Sequence, residues 1–399
     1  MTNSSHLSRL SSLADALLAK GLSAERVVEL EYVPALAPPQ PSGRRAQREW
    51  VAALAGLKIG AASRCVVLSG GYDCVARLHD AATGDVLASA TCAGEASAIV
   101  GACAVGEGGA LAATAAQDGS VRLWEARPDG ERTALVERAA FLGAHGDSAA
   151  CVAADTAGAH LCSGGWDGVA RLWGVAASLG DGGDNGAEEE DAPKRRRTAG
   201  GRARKDARSS PPRELSSADC EATLEAHTQC VSGAAWLGGG AQVVTASWDR
   251  TVRVWDAARA QEARGPLYAT KAVHCLAAQA GASGLVATGG VDPAVQLWDV
   301  RAAGGGTAAV RLAGHGGWVA GVAWAPCAGH ILASAAHDGK VKVWDVRSSV
   351  PLATLDAHEG KALCVAWAGG DYLASGGADA RLATFKHSYG EAATAADGA

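Results

Sequence analysis

The chain repeats a pattern in which two short apolar segments flank a polar turn. In one copy, AQVVTAS (241–247) leads into the turn WDR and then into TVRVWDA (251–257), and both segments alternate valine with small or polar residues. Valine and alternating side chains favour strands, whereas Asp with small neighbours favours a tight turn. The pattern predicts a β-hairpin, and it returns along most of the chain.

Three positions of this hairpin keep their chemistry in seven copies. The turn residue is Asp73, Asp118, Asp167, Asp249, Asp292, Asp338 and Asp379. Four residues earlier stands a hydroxyl: Ser69, Thr114, Ser163, Thr245, Thr288, Ser334 and Ser375. Six residues later stands a ring: His79, Trp124, Trp173, Trp255, Trp298, Trp344 and Phe385. Successive aspartates lie 41 to 49 residues apart, except for one interval of 82. A period of about 40–45 residues with Trp-Asp signatures is typical of WD repeats and predicts an all-β, seven-bladed WD-repeat β-propeller.

Histidines complete the pattern in several copies. In the WD-repeat family an early His, the hydroxyl, the Asp and the Trp form one hydrogen-bonded chain, and buried polar groups need such partners. The matching residues are His145, His227, His315 and His358, which lie 21 to 23 residues before their Asp. His274 lies 18 residues before Asp292 and is expected to fill the role with a shorter loop. The first two copies have no such His, so these blades should be held less rigidly.

The recurring hydroxyl, His and Asp could be mistaken for a hydrolase triad. A triad occurs once per site, whereas this trio recurs with the period of the fold, which indicates a structural role. The sequence contains neither a G-x-S-x-G elbow nor a phosphate-binding GxxxxGK[ST] loop. We therefore expect a noncatalytic protein without a cofactor or metal site.

Composition indicates an intracellular protein. Eleven cysteines are present without a C-x-x-C pair, and we expect buried, reduced thiols. No apolar run approaches 18 residues, and the N-terminus lacks a basic start followed by an apolar core. The sequence thus predicts neither a transmembrane span nor a secretory signal.

The chain divides into residues 1–44 and a propeller over 45–390. Residues 1–26 are predicted to be helical, VVELEYV (27–33) to be a strand and the Pro-rich residues 34–43 to be a linker. The hairpin units are expected at about 49–79, 96–124, 147–173, 229–255, 272–298, 317–344 and 360–385, each followed by an outer strand. Residues 30–37 are the candidate strand that completes the last blade and closes the ring.

The 82-residue interval contains an insertion at about 176–218 that is predicted to be disordered, because it has few apolar residues and blocks of charge. Two basic clusters in it resemble a bipartite nuclear localisation signal: Lys194, Arg195, Arg196 and Arg197, then Arg202, Arg204 and Lys205. An RNA-contacting tail and a solvated loop are the alternatives, because clustered cations alone suffice for phosphate contact.

The residue before each turn Asp suggests a contact surface. In WD-repeat propellers this position tends to face the end where the central channel opens, and here it includes Tyr72, Trp166, Trp248 and His337. Exposed aromatic rings of this kind often bind proteins. The alternative is that each ring packs on a neighbouring loop.

Several longer segments resemble one WD-repeat family. They are LSAERVVELEYVPALAPPQP, REWVAAL, SWDRTVRVWDA, GHGGWVAGVAWAP, VKVWDVRSSVPLATLDAHEGKALCVAW and LASGGADARLATFKHSYG. Together with the charged insertion, they are similar to the WD-repeat ribosome-biogenesis factors of the PeBoW complex, from about residue 10 to 390. The resemblance implies a scaffold for maturation of the large (60S) ribosomal subunit and its rRNA, in the nucleolus and nucleoplasm.

The same resemblance implies partners. These are a Block-of-proliferation-like propeller protein, a Pescadillo-like protein, the pre-60S particle and the AAA ATPase Midasin. In the family, a Notchless-like (ubiquitin-like) N-terminal domain offers a Glu to a metal site of Midasin, and Glu25 matches that position. A solvated loop residue is the alternative for Glu25, because only the C-terminal half of that domain is recognisable here. RNA contact is expected to be indirect or through the basic insertion, and no membrane is implied. The alternative function is a WD-repeat adaptor or substrate receptor in another nuclear pathway.

Overall fold

Repeated four-stranded antiparallel sheets build this molecule. A computed structural model describes residues 28–36, 49–60, 63–91, 97–106, 109–129, 132–179, 212–216, 219–281, 283–302, 308, 310–348 and 350–389. The first strand is β1 (Val28–Leu36). Blade 1 contains β2 (Val51–Ile59), β3 (Arg64–Gly71), β4 (Val75–Asp80) and β5 (Val86–Thr91). Blade 2 follows with β6 (Ile99–Val105), β7 (Leu111–Ala116), β8 (Val121–Asp129) and β9 (Arg132–Phe141).

The middle of the chain carries the insertion. Blade 3 begins with β10 (Ala149–Ala154), β11 (His160–Gly165) and β12 (Val169–Gly174), and a short helix α1 (Val175–Leu179) follows. After the insertion come β13 (Arg213–Leu215) and β14 (Ala222–Glu225). Blade 4 contains β15 (Val231–Leu237), β16 (Gln242–Ser247), β17 (Thr251–Asp256) and β18 (Gln261–Tyr268).

The last three blades have the same order. Blade 5 contains β19 (Val273–Ala278), β20 (Leu285–Gly290), β21 (Ala294–Asp299) and β22 (Val310–Ala313). Blade 6 contains β23 (Val319–Trp324), β24 (Ile331–Ala336), β25 (Lys340–Asp345) and β26 (Pro351–Asp356). Blade 7 contains β27 (Ala362–Ala368), β28 (Tyr372–Gly377) and β29 (Leu382–Tyr389).

The sheets form a closed seven-bladed ring. The innermost strand of each blade packs against the innermost strand of the next, and β27 of blade 7 packs against β2 of blade 1. Seven apolar clusters lie between neighbouring blades, one for each pair. Since no single blade could bury both of its faces alone, stacking around the ring creates the core. The predicted seven-bladed propeller is therefore confirmed.

The ring is closed by the N-terminal strand. β1 pairs in antiparallel fashion with β29, from Val28 opposite Tyr389 to Leu36 opposite Leu382, and becomes the outer strand of blade 7. The closing strand predicted at residues 30–37 is confirmed, but it begins two residues earlier and ends one residue earlier. The linker predicted at 34–43 is therefore wrong for its first three residues, which belong to this strand. Joining both ends of the chain in one sheet removes an open sheet edge, which is the usual weak point of such a ring. The predicted helix at 1–26 lies outside the described residues.

The insertion departs from the prediction at both ends. Residues 175–179 are helical, and β13 pairs in parallel with β9 as a fifth strand of blade 2. The predicted disordered range of about 176–218 is thus wrong at its margins. The physical reason is apolar burial: Leu215 is buried in the cluster between blades 2 and 3, with Leu179 and Cys220 packed against it. The outer strand of blade 3, β14, is therefore reached only after the chain has added a strand to blade 2.

Several cysteines join the blades to each other. Among the described residues the cysteines are free thiols. The thiol of Cys151 donates to the carbonyl of Val231, that of Cys275 to Val319 and that of Cys364 to Val51, at 3.5, 3.7 and 3.4 Å. Each bond runs from one blade to the innermost strand of the next. Burial raises the pKa of Cys275 and Cys364 to about 12, so these groups remain protonated donors at neutral pH.

Candidate interaction surface

The hydrogen-bonded network is complete in blades 3, 4 and 6. In blade 4, the Nε1–H of Trp255 donates to Oγ1 of Thr245 at 2.8 Å. The Nε2 of His227 lies 2.8 Å from the same oxygen, and its Nδ1 lies 2.9 Å from Asp249. Blades 3 and 6 have the same arrangement, with the corresponding contacts between 2.7 and 3.1 Å. The residues are His145, Ser163, Asp167 and Trp173 in blade 3, and His315, Ser334, Asp338 and Trp344 in blade 6.

The direction of each proton in this network follows from its chemistry. An indole N–H can only donate, so the hydroxyl oxygen accepts from Trp255 and gives its own proton to Nε2 of His227. The remaining ring proton is on Nδ1 and is donated to the carboxylate of Asp249. Burial would raise the pKa of Asp249, but hydrogen bonds from His227 and Thr251 outweigh it and hold this pKa well below its ordinary value. In this network the histidine ring donates to an ionised aspartate.

The other four blades hold their turn Asp in different ways. In blade 7, His358 bonds Asp379 at 3.0 Å and Ser375 at 2.9 Å, but the ring of Phe385 has no donor to add. In blade 1, His79 replaces the indole and its Nε2 lies 2.8 Å from Ser69 Oγ, while Asp73 pairs with Arg77.

In blade 2, Trp124 donates to Thr114 at 2.8 Å, and the turn carboxylate of Asp118 accepts from Ser120 and Arg122. The lower rigidity expected of blades 1 and 2 stays a prediction.

The expectation for His274 is wrong. In blade 5, Arg311 binds the carboxylate of Asp292 at 2.5 Å and Gln296 donates to it at 3.3 Å. His274 lies within the innermost strand β19, where its ring packs between Trp248 and Trp318, at centroid distances of 5.4 and 5.6 Å. Its spacing to Asp292 is too short because it belongs to the strand and not to the preceding loop.

The network offers no site for catalysis. The hydroxyls of Ser163, Thr245 and Ser334 have no solvent exposure, and each already accepts an indole N–H. A nucleophile must reach its substrate, and these oxygens are enclosed between strands. Among the described residues, no group of three or more His, Cys, Asp or Glu side chains is arranged to hold a metal ion.

The residues before each turn Asp share one face of the ring. In all seven blades their backbone N–H donates to the carbonyl of the residue directly before the innermost strand, at 2.8 to 3.2 Å. The pairs are Tyr72 with Trp50, Gln117 with Ala98, Trp166 with Ser148, Trp248 with Cys230, Val291 with Ala272, His337 with Trp318 and Ala378 with Lys361. These fourteen residues, with the loops that carry them, are called the turn face below.

The turn face exposes several large aromatic side chains. Trp50, Tyr72, Trp166 and Trp318 are between 43% and 51% exposed, whereas Trp248 and His337 are half-buried. Lys361 is the one residue with a full charge among the fourteen. Because the fourteen residues themselves include several large rings and one charged side chain, they resemble the centre of a protein interface.

Five rings on this face form a continuous row, which we call the aromatic arc. Trp166 contacts Trp248, Trp248 contacts His274, His274 contacts Trp318 and Trp318 contacts His337, with centroid distances of 5.2 to 5.6 Å. The arc crosses blades 3 to 6. A separate pair, Trp50 and Tyr72, lies in blade 1 at 5.4 Å. The predicted rings therefore pack on neighbours and remain accessible, so packing and partner contact are compatible here.

Sequence reasoning found four of these rings and missed three. Tyr72, Trp166, Trp248 and His337 follow from their place before the turn Asp, but Trp50, Trp318 and His274 do not. The missing signal was the register of the innermost strand: Trp50 and Trp318 directly precede β2 and β23. Glu25 and the basic residues between Lys194 and Lys205 lie outside the described residues.

Among the described residues, no helix has the length and apolar character that a membrane span requires.

The family model "WD domain, G-beta repeat" matches residues 88–125, 137–174, 218–256 and 306–345. Each match begins on or before the outer strand of one blade and ends with the third strand of the next, because the sequence repeat is offset from the blade.

Three curated relatives are similar over nearly the whole chain, and each is named a ribosome biogenesis protein WDR12 homolog. The protein from Chlamydomonas reinhardtii is 35% identical, over 95% of this chain and 85% of the relative. Those from Oryza sativa subsp. japonica and Arabidopsis thaliana are 34% and 31% identical, each over 93% of this chain and 81% of the relative. A WD-repeat propeller with such relatives is typical of non-enzymatic scaffolds and has a role in ribosome biogenesis. The chain belongs to the WD-repeat family of WDR12-homologue ribosome biogenesis proteins.

Proposed function

We propose that the protein is a noncatalytic scaffold in the maturation of the large (60S) ribosomal subunit and its rRNA. It would act in a complex with a Pescadillo-like protein and a Block-of-proliferation-like propeller protein. The observation that carries this proposal is the similarity to ribosome biogenesis proteins across 95% of the chain. The family resemblance of the segments described above supplies the choice of subunit and partners.

The turn face is the proposed partner-binding surface. Tyr72, Trp166, Trp248 and His337 share this face, and exposed tryptophans there have no role in the buried network. Interface hot spots are enriched in Trp and Tyr, because a large rigid ring buries much area at little entropic cost. Copurification with variants of this surface identifies the partner that it binds.

The test is copurification of the tagged full-length chain from nuclear extract. We expect Pescadillo-like and Block-of-proliferation-like proteins with the wild type, and at least a tenfold loss of one of them with the Trp166→Ala, Trp248→Ala double variant. Leu352→Ala is the control, because Leu352 is 43% exposed on the outer strand of blade 6, at the end of that strand opposite the Asp338 turn. Thermal unfolding of each variant checks that the fold is kept.

Two results would contradict these proposals separately. Recovery of another nuclear assembly in place of the two partners would favour an adaptor or substrate receptor in a different pathway. Full recovery of every partner by the double variant would remove the rings from the account while leaving the complex in place.

We also propose a nuclear and nucleolar location, directed by the two basic clusters. The sharp test deletes residues 181–211 and leaves β13, since Arg213–Leu215 is a strand of blade 2. We expect the deleted protein to shift toward the cytoplasm. A matched variant with Lys and Arg of 194–205 changed to Gln keeps the length of the segment. Unchanged nuclear signal in both variants would contradict the proposal.

Glu25 is proposed to complete a metal site of Midasin. A carboxylate is a suitable ligand for a hard divalent cation. Binding of the full chain to Midasin should be lost in Glu25→Ala and also in Glu25→Gln, which keeps the size but removes the charge. Unaltered binding by both variants would exclude Glu25.

A further inference from the structure

The aromatic arc is bordered by cations that have no ion-pair partner among the described residues. Arg250 lies in the same turn as Trp248, Lys271 precedes Ala272 on the turn face, and Lys361 belongs to the turn face itself. All three are exposed, and none forms a salt bridge within the described part of the chain. They lie on blades 4, 5 and 7, along the half of the arc that begins at Trp248.

The acidic residues of these loops are already engaged. The turn carboxylates of Asp249, Asp292 and Asp338 accept hydrogen bonds inside their own blades. Glu359, in the loop that leads into blade 7, pairs with Arg381 at 2.9 Å. Within the described residues, the exposed charged side chains of these loops that lack an ion-pair partner are therefore the three cations, while Asp249 and Asp338 keep their negative charge largely buried inside the blades. Asp147, an exposed residue of blade 3, is the acidic exception and lies beyond the Trp166 end of the arc.

The rings themselves add no competing charge. Burial is the main cause that lowers the pKa of His274, and the neighbouring His337 lowers it further. Burial also lowers the pKa of His337, to which the nearby Lys361 contributes. Both imidazoles are neutral at pH 7. The arc is thus an uncharged aromatic surface with a positive border on one side.

One donor in the arc lacks an acceptor. The Nε1–H of Trp248 is covered and has no hydrogen-bond partner among the described residues. An unmade hydrogen bond of a buried donor is costly, and most such groups in proteins are satisfied. A small rotation of this half-buried ring would let it donate to a carbonyl or carboxylate oxygen of a ligand. The arc therefore favours a ligand rich in acceptors.

We infer that the aromatic arc binds an acidic, extended segment of a partner protein, which places an apolar side chain on the rings and carboxylates against Arg250, Lys271 and Lys361. The inference rests on the proposed scaffold function and names the chemistry of its partner. Charge complementarity of this kind sets specificity and association rate, while the aromatic centre supplies the affinity.

Single-stranded RNA is the rival occupant, because bases also stack on aromatic rings. RNA affinity, however, comes largely from many phosphate contacts. Three cations spread over blades 4, 5 and 7, with Asp147 beside blade 3, are few for that purpose. A peptide with one or two apolar anchors and several carboxylates matches this surface better.

The test is fluorescence anisotropy with the full-length protein and three labelled probes at low ionic strength. The probes are the acidic peptide EDDLFDEE, its neutral counterpart QNNLFNQQ and a ten-nucleotide oligouridine. We expect the acidic peptide to bind at least tenfold more tightly than the neutral one, and the difference to shrink as salt rises. The triple variant Arg250→Glu, Lys271→Glu, Lys361→Glu should abolish the preference for the acidic over the neutral peptide. Trp318→Ala should weaken the binding of both peptides at least fivefold.

Two further variants make the test sharper. Asp147→Lys extends the positive border to blade 3 and should increase the affinity for the acidic peptide severalfold. Arg259→Glu is the control, because Arg259 is exposed in the turn that joins β17 and β18, outside the turn face. It should leave binding unchanged.

Equal affinity for the acidic and neutral peptides, including no binding of either at millimolar concentration, would overturn the inference. The inference would also be overturned, in favour of RNA, if oligouridine binds and the triple variant weakens only its binding and not that of the acidic peptide. Neither result depends on whether Pescadillo-like proteins copurify, so failure here is distinguishable from failure of the scaffold function.

Discussion

Blades 4 and 1 solve the same problem with different chemistry. In both, an Asp closes the turn between the second and third strands and a hydroxyl lies beneath it. Blade 4 connects them through His227 and Trp255, in bonds of 2.8 to 2.9 Å. Blade 1 has no such histidine, and Asp73 is held by Arg77 and the backbone N–H of Val75, with His79 replacing the indole.

The difference shows what the repeated network contributes. In blade 4 a single chain of donors and acceptors ties the entry loop, the second strand and the third strand together. In blade 1 the carboxylate and the hydroxyl are satisfied separately, and within the described residues the entry loop meets the turn through the Trp50–Tyr72 ring contact and one backbone hydrogen bond. The two blades nevertheless have the same sheet order and similar apolar packing. We therefore expect the network to add local rigidity to a fold that apolar packing already determines.

The largest expected effect is removal of the turn carboxylate from blade 4. Asp249 accepts from His227, from the hydroxyl and N–H of Thr251, and from the N–H of Thr228. Asp249→Ala leaves these donors unpaired and should lower the free energy of unfolding by about 3–4 kcal/mol. Asp73→Ala, the matched change in blade 1, should cost about 1–2 kcal/mol, because Arg77 can turn to water. Urea unfolding of both variants makes the comparison, and equal losses would contradict it.

A smaller effect concerns pH and belongs to blade 1. Burial lowers the pKa of His79 to about 4, from an ordinary value of 6.5. The unfolded chain therefore takes up a proton between these values while the folded chain does not, so stability falls as pH falls through this window. For His79 the loss between pH 7 and pH 5 should be roughly 2 kcal/mol.

His79→Phe is the variant that isolates this contribution, since blade 7 already has a Phe at the same position. His315 and His358 also have lowered pKa values and add to the slope of the wild type, so the difference between the two proteins is the quantity to measure. Unfolding at pH 7 and pH 5 should show a shallower loss in His79→Phe. Identical slopes would mean that His79 titrates normally in the folded protein.

Much of this fold could be predicted because the repeat is local. The hydroxyl, Asp and ring are spaced by four and six residues, and such spacing determines a hairpin and its turn. The closing strand was predictable as well, because a ring of sheets needs its last edge covered. The seven innermost strands begin one to three residues after the predicted starts of their blades.

What could not be predicted depends on contacts between blades. β13 adds to blade 2 because Leu215 finds an apolar site between blades 2 and 3, which no local pattern encodes. Three indoles at the ends of innermost strands donate to carbonyls of the preceding blade: Trp236 to Ala153, Trp324 to Ala277 and Trp367 to Ala323, at 3.1 to 3.2 Å. The aromatic arc also escaped prediction as a unit, because its members are neighbours only around the ring.

The smallest expected effect tests whether the indole hydrogen bond matters beyond the bulk of its ring. Trp255→Phe removes the donor to Thr245 and should cost about 1–2 kcal/mol, part from the hydrogen bond and part from the smaller ring. Blade 7 provides the natural counterpart, since Phe385 already occupies this position and His358 still binds both Ser375 and Asp379. Phe385→Trp should give Ser375 a new donor and raise the free energy of unfolding by at most about 1 kcal/mol.

The pair of changes separates two explanations of the repeat. If the indole acts through its N–H, the variants move stability in opposite directions, and hydrogen exchange slows in β28 while it quickens in β16. If the ring acts through its volume alone, Phe385→Trp overpacks blade 7 and both variants lose stability. Because blades 4 and 7 are otherwise alike in their His, hydroxyl and Asp, the sign of the blade 7 change decides between the two.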